Sequence, residues 1–508
     1  MSDSRAISAR TKTTWLFWIT TLVVFLGWSL GTLATQGNLP LDHIDILAWG
    51  PSWQLCYWKH PPLPAWIAEA LSVATDRAIW PQFFLGPAMT AIATFIVWRA
   101  ALDVTGAWRA LIAALLVQGC IFYNHGCDVF NHNSVQLPFL AAAMWAGWRA
   151  INGSTLAWIA FGFFSAVAVY GKYSAALPAG AVVLFTLTSR ERRAMWLTAG
   201  PWLAIAVGLI TIAPHVYGMS LLDFSPLRTP FGRQHEPEPW WGRATSPLEF
   251  LIATIGALIG VWIFLFALFS RLTNKRGDAT IEGAPSTAAS EFATSYYTFI
   301  ILAPVAMAMA IAAALNLRML GLWALPWFPF IGLAAVLWIK RPLLAGGVRS
   351  LLIVWIIFSG GMLLVAMGRN VIRPYASGYI ANVKHPGDAL ARAAEEFWNS
   401  QTQNFANKKQ TPLTIVIGDM FSAGNIAVYG EFHPDVLLDG DTTHAPWIDI
   451  ARIKREGALL VWRGNGDVPT HLRAFGEVAA TTHLSLQPRT GADVAPMEYG
   501  LAVIAPQK

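Results

Sequence analysis

The chain has 508 residues, 55% of them hydrophobic and only 13% charged, with 25 Trp and 28 Phe. A water-soluble domain carries about 25% charged residues, so this composition excludes a disordered chain, a collagen and an ordinary soluble globule, and reads as a membrane protein. Three cysteines (Cys56, Cys120, Cys127) are too few for a disulfide framework or a Cys-rich metal site. The net charge of +6 fits cations held at a cytoplasmic membrane surface, and no nucleic-acid partner is expected.

Apolar runs of about 18 residues or more can cross a ~30 Å hydrocarbon layer. Eleven such windows precede residue 369, near 14–34, 81–102, 107–123, 134–151, 155–171, 174–189, 195–215, 248–270, 296–315, 319–339 and 350–368. The fifth and sixth are short and meet at Gly171-Lys172-Tyr173. The first is too long for a signal peptide and lacks a small-residue cleavage site, so it is expected to stay as an anchor. With the N-terminus inside, fifteen Lys and Arg collect at the cytoplasmic ends, Arg10, Arg99, Arg109, Arg190 and Arg349 among them, against seven on the opposite side. That bias sets the orientation, and eleven spans then leave residues 369–508 outside.

The outside segment changes character. Residues 414–418, 436–438 and 459–462 read as short buried strands, and 388–398, 422–429 and 447–456 as helices. Strands alternating with helices predict a small α/β layer domain. Residues 271–292 are polar and rich in Gly, Ala and Ser, which predicts a flexible cytoplasmic loop.

Polar chemistry gathers on the outer face. His43, His60, His125, His132, His215 and His235 all fall there, as do Asp42, Asp45, Asp128, Lys59, Lys172 and Arg318. Ionisable residues near membrane depth are costly and mark functional sites by default. The densest stretch is the first outer loop, residues 35–80, with LDHIDILAWG at 41–50 and YWKHPPLPAW at 57–66. Asp42 and Asp45 are three apart and share a helix face, and Asp42 could also cap a helix beginning at His43. Pro61 and Pro62 exclude helix from the residue before them, which predicts an extended segment holding Lys59 and His60. A carboxylate facing a rigid cation at a membrane surface suits transfer between an anionic lipid leaving group and a hydroxyl acceptor. Trp240-Trp241, in a loop of Pro, Glu and Arg, reads as an interface anchor or as a lid.

The pattern DHIDILAWG…YWKHPPLPAW resembles the first outer loop of the C-type glycosyltransferase superfamily. The subgroup it is most similar to is family-39-like and aminoarabinose-transferase-like, and includes rhizobial galacturonosyltransferases of lipopolysaccharide core. Phe130-Asn131-His132-Asn133, Gly171-Lys172-Tyr173, Ala213-Pro214-His215, Asp223-Phe224-Ser225-Pro226-Leu227-Arg228 and Leu317-Arg318 with Trp323 and Pro326 resemble the same subgroup, in the same order. The resemblance covers most of residues 10–370. It implies a polytopic helical enzyme of about eleven transmembrane helices, residues 1–368, in a bacterial inner membrane, followed by a periplasmic α/β domain, residues 369–508. It also implies that a sugar leaves a polyprenyl-phosphate donor for a cell-envelope glycan or lipid acceptor on the periplasmic side.

On that resemblance the family's first-loop Asp maps onto Asp42. Many relatives carry an adjacent Asp-Glu pair, whereas here His43 follows Asp42 and the second acid is Asp45, so Asp42 is favoured and Asp45 stands as the alternative. The carboxylate would take or orient the acceptor's hydroxyl proton, a contribution of about 10²- to 10⁴-fold. The oxocarbenium-like sugar centre requires little nucleophilic push, and direct displacement would invert it. The lipid-phosphate leaving group calls for preorganised cations, and Lys59, Lys172 and Arg318 are the candidates. His60, Asn131, His132, Asn133, Tyr173 and His215 are the candidate substrate contacts. No cofactor is assigned. A divalent ion on His43, His60 and His132 with Asp42 or Asp45 stays open, although no H-x-x-x-H spacing supports it. The rival reading is a transporter or a flippase of lipid-linked glycans. It predicts discontinuous helices in related halves, and no internal repeat is visible.

Overall fold

Residues 7–35 form an uninterrupted apolar helix, and its 29 residues exceed the roughly 20 that span a bilayer at 1.5 Å per residue. In the computed structural model, which describes residues 2–232, 241–270, 278–283, 288–318, 321–402 and 412–506, four further helices are long and apolar enough to cross a membrane. They are Trp80–Val104, Ala199–Ser220, Ser290–Leu315 and Ala345–Ser377. Gly242–Gly256 and Ile259–Phe269 form a pair bent by 45°. The other expected windows hold shorter elements, including Ala107–Val117, Gln136–Ile151, Thr155–Gly171, Ala176–Leu187 and Ile331–Trp338. Every one of the eleven windows is therefore helical over part of its described length, and the chain is a multi-pass membrane protein. His235 and Trp240 lie outside the described residues; Trp241 is exposed.

The chain divides into two compact units. One comprises Met1–Ser29, Phe84–Tyr217 and Leu227–Val365, the other Leu30–Phe83, Gly218–Pro226 and Ala366–Lys508. The expected boundary at 368 falls inside the helix Ala345–Ser377.

The first unit is a helical bundle in which small residues let backbones approach. A Cβ at Gly162 of Thr155–Gly171 would overlap the carbonyl of Ala204 in Ala199–Ser220. Within 271–292 the expectation of a plain loop is corrected. Thr280–Glu282 (β1) pairs antiparallel with Leu343–Leu344 (β2), and helix begins at Ala288. Arg109 holds this strand pair. Counted from sequence among the cations at the cytoplasmic ends, it is 1% exposed. Its guanidinium donates to the carbonyls of Val336, Ile339, Gly283 and Arg341 and lies 3.2 Å from Glu282. A buried guanidinium is tolerated only with such extensive pairing, here four carbonyls on its two terminal nitrogens and a carboxylate beside Nε.

The second unit is built on a five-stranded sheet of Ile415–Gly418 (β3), Asp435–Leu438 (β4), Ala458–Arg463 (β5), Val478–Leu486 (β6) and Met497–Ile504 (β7), ordered β4-β3-β5-β7-β6. β3 runs parallel to β4 and β5, and β7 antiparallel to β5 and β6. The alternation of side chains along a strand divides the core. Val416, Val436, Leu459, Val461 and Leu501 meet Leu390, Trp398 and Ile426 of the helices Gly387–Thr402 and Met420–Tyr429. On the other face Ile415, Ile417, Leu437, Leu460 and Trp462 meet Ile448 and Ile453.

The first loop belongs to this unit as well. Ala48 lies in the same core cluster as Leu390 and Ile426. A Cβ on Gly424 would sit 2.7 Å from Ile44 Cγ2, so the helices Leu41–Trp49 and Met420–Tyr429 touch through a glycine. The preceding strand of chain is tied by Leu39 N–H to Tyr429 Oη (2.9 Å), Lys384 Nζ to the Thr35 carbonyl (2.8 Å) and Gly37 N–H to the Val383 carbonyl (2.9 Å).

Candidate active site

Each unit carries its own polar cluster. In the second unit, Pro40 precedes the helix Leu41–Trp49 and occupies its N-cap, so Asp42 does not cap it; it lies in the first turn, exposed to solvent. Asp45, one turn on, is 7% exposed, and one of its carboxylate oxygens is 2.6 Å from Lys59 Nζ. The two acids thus share a helix but not an environment. His43, on the same helix, is buried against Gln82, its Nε2 3.1 Å from Gln82 Oε1. Burial lowers its pKa to about 4, overriding the opposing hydrogen bond, so His43 is neutral at pH 7.

Lys59 sits in a turn rather than in the extended segment expected from Pro61 and Pro62. Tyr57 N–H donates to the His60 carbonyl (3.1 Å), and His60 N–H donates back to the Tyr57 carbonyl (3.3 Å). Pro62 itself adopts helical angles at the N-cap of Leu63–Ala74, so the chain bends before the prolines instead of running straight into them. The turn carries Lys59 Nζ 5.1 Å from the Trp49 ring and 5.4 Å from the Trp58 ring, within range of cation–π attraction. Trp49 stacks on Tyr57 at 4.9 Å, and the Tyr57 hydroxyl donates to the Trp49 carbonyl at 2.9 Å. The His60 ring lies 6.3 Å from that of Trp49. Trp58 stacks on His444 at 3.8 Å, and its carbonyl accepts from Ser225 Oγ at 2.9 Å.

In the first unit, Lys172 Nζ donates to Asn133 Oδ1 at 2.5 Å and stands 5.9 Å from the Trp323 ring. Tyr173, the next residue, has its hydroxyl 3.2 Å from His215 Nε2, with the two rings stacked at 5.7 Å. Asn131 shapes the turn that presents Asn133: its Oδ1 accepts from the N–H groups of Asn133 (2.8 Å) and Ser134 (3.2 Å). His132 is buried, with its carbonyl accepting from Gln136. Arg318 is exposed after the helix Ala288–Leu315. Pro214 precedes His215 inside the helix Ala199–Ser220.

Among the described residues no three His, Cys, Asp or Glu side chains gather as a metal set, and His43 is committed to Gln82. Among the candidate residues the fold brings Asp45 to Lys59, Asn133 to Lys172, and Tyr173 to His215. Sequence reading did not single out His444 or Gln82, because only the packing of distant segments brings them to the first loop.

A family model for dolichyl-phosphate-mannose-protein mannosyltransferases matches residues 59–217. The chain is similar in structure to ArnT from Cupriavidus metallidurans bound to undecaprenyl phosphate. The TM-score is 0.60 at 15% identity, covering 98% of this chain and 100% of that one. It is likewise similar to the same protein in the apo state, with a TM-score of 0.59 at 13% identity, covering 98% and 99%. No curated protein sequence matches the chain.

Proposed function

We propose that this chain, which has the fold of the C-type glycosyltransferases expected from its motif order, transfers a sugar from a polyprenyl-phosphate donor to a hydroxyl of a cell-envelope glycan or lipid. The observation that carries the reading is the largely buried Asp45–Lys59 pair, 2.6 Å apart, with Asp45 on a helix that presents Asp42 to solvent one turn away. The two acids divide the labour. Asp45 holds Lys59 at a fixed position, and Asp42 is left accessible to a substrate hydroxyl.

In this mechanism the donor phosphate exchanges solvent for cations as the bond from the anomeric carbon to the phosphate oxygen breaks. Lys59, preorganised by Asp45 and the two Trp rings, stabilises the charge growing on that oxygen. Such stabilisation costs no reorganisation at the moment of reaction. Lys172, oriented by Asn133, and the exposed guanidinium of Arg318 are the other cations assigned to the phosphate, Arg being able to grip it bidentately. Asp42 accepts the proton of the acceptor hydroxyl as its oxygen bonds to the anomeric carbon, and the configuration there inverts. Tyr173, His215, His60 and His132 are assigned to the bound sugar and acceptor. A crystallised protein of the same fold holds undecaprenyl phosphate, which supports the donor class. The fifteen-to-seven cation bias supports a cytoplasmic N-terminus, a periplasmic site and α/β domain, and residence in a bacterial inner membrane.

The test is transfer of label from a panel of polyprenyl-phosphate sugars to envelope extract by membranes holding wild type or Asp42→Asn. Label that moves only with wild type supports the reading. Equal transfer by the variant, at equal expression, removes Asp42 from the chemistry, and no transfer by the folded wild type with any donor removes the function.

A further inference from the structure

The α/β domain meets the 57–60 turn of the first loop through the rings of His444 and Trp447. His444 lies in the connection that follows β4, and that connection is tied by its own hydrogen bonds and anchored in the core. Asp441 Oδ1 accepts from the N–H and the hydroxyl of Thr443 (2.9 and 2.6 Å), His444 N–H donates to the Asp441 carbonyl (3.0 Å), and Ala445 and Ile448 are sunk in the core beneath the sheet. Three residues on from His444, the Trp447 ring stands 6.1 Å from that of Tyr57. The imidazole of His444 lies on the Trp58 indole, centroids 3.8 Å apart and planes 25° from parallel. Trp58 is in turn the residue before Lys59 and one of the two rings facing its ammonium.

We propose that His444 is a positioning residue for Lys59: by stacking on Trp58 it fixes the 57–60 turn, and so the place at which the ammonium meets the phosphate of a polyprenyl-phosphate ligand. The α/β domain then sets the geometry of the phosphate site without touching the ligand. The inference rests on the donor reading above. Two features favour it over simple domain packing. The contact falls on the residue adjacent to the cation rather than on the apolar flank of the Leu41–Trp49 helix, where Ile44 and Ala48 already supply packing. The imidazole is also kept neutral: burial holds His444 below the ordinary value, and Lys59 adds to that against Asp441 and Asp439. A neutral ring stacks on indole beside an ammonium without charge repulsion.

The experiment measures the Kd for undecaprenyl phosphate of the full-length protein in lipid nanodiscs, for wild type, His444→Ala, His444→Phe, Lys59→Ala and the Lys59→Ala/His444→Ala double variant. His444→Ala is expected to weaken binding five- to twentyfold, and His444→Phe, which keeps a stacking ring, to restore it to within about threefold of wild type. In the Lys59→Ala background the same His444→Ala change is expected to cost less than twofold, because groups acting through one another are not additive. Thermal melting of each variant reports the fold, and His444→Gln replaces His444→Ala should the latter fail to fold. Wild-type-like binding by His444→Ala, a loss in His444→Phe as large as in His444→Ala, or an undiminished His444→Ala effect without Lys59 overturns the positioning role while leaving the donor reading intact. A folded wild type that binds no undecaprenyl phosphate overturns the donor reading and this inference with it.

Discussion

Asp45 and Lys59 lie fourteen positions apart in the chain, and the fold brings them to 2.6 Å, with only 10% and 16% of their side chains exposed. An exposed ion pair is worth about 0.2–1 kcal/mol. Removing one partner of a buried pair strands the other and costs about 3–5 kcal/mol. This pair lies toward the buried end, so its members are expected to act together.

Asp45→Asn keeps the shape of the side chain and removes the charge that holds Lys59. We expect transfer to fall at least tenfold, with the double variant Asp45→Asn/Lys59→Met no worse than Lys59→Met alone. Additive losses in that cycle, read as initial rates in membranes, would separate the roles of the two residues.

Gly424→Val places a side chain against Ile44, where even a Cβ would come within 2.7 Å. Overpacking of a formed interface costs about 1–3 kcal/mol, so the melting temperature should fall. Activity should fall further than Gly424→Ala makes it, because the displaced helix carries Asp42 and Asp45. A Val variant with unchanged melting and rate would show that the two helices are free to part.

Asn133→Ala removes the acceptor held by Lys172. We expect the apparent KM for the polyprenyl-phosphate donor to rise three- to tenfold with a smaller change in kcat, because the cation is less well aimed but still present. Lys172→Met should raise it further. An unchanged donor KM in both variants would exclude Lys172 from the phosphate site.

The pH dependence of stability has a defined sign. His385 is 1% exposed, with its Nε2 2.6 Å from the Tyr499 hydroxyl. Burial, assisted by Arg463 and opposed by Asp419, lowers its pKa to about 4 from 6.5. The unfolded chain therefore binds the proton first, and stability present above pH 6.5 is lost as pH falls toward 4, by up to about 3 kcal/mol. Melting of the full-length protein between pH 7 and pH 4.5 should show this decline. His385→Phe should flatten it while lowering the melting temperature at pH 7, since Tyr499 loses its partner. A slope identical to wild type would assign the decline to other groups, His43 first among them.

Much of the architecture is legible in local pattern. Each of the eleven apolar windows holds helix, because transfer of apolar side chains and internal satisfaction of the backbone are decided within one segment. β3, β4 and β5 could be read from runs such as 415–417 (IVI) and 459–461 (LLV), which are buried on both faces. β6 and β7 were not expected. β6 alternates half-buried and exposed positions through VAATTHLSL, and its polar residues hide a strand whose partner is β7.

The candidate site divides along the same line. Residue type and order alone brought forward Asp42, Asp45, Lys59, Lys172 and Arg318 as the ionisable groups of the loops and helix ends, because a charge near hydrocarbon is costly to place without use. What the sequence could not specify is which charges meet. That Asp45 is buried against Lys59 while Asp42 stays open, that Arg109 is buried among carbonyls rather than wet, and that His444 stacks on Trp58 from nearly four hundred positions away were decided by tertiary structure. Local periodicity determines which face of a segment is apolar. The partner of a buried polar group is set by segments far away in the chain, whose approach is governed by the packing of the whole unit.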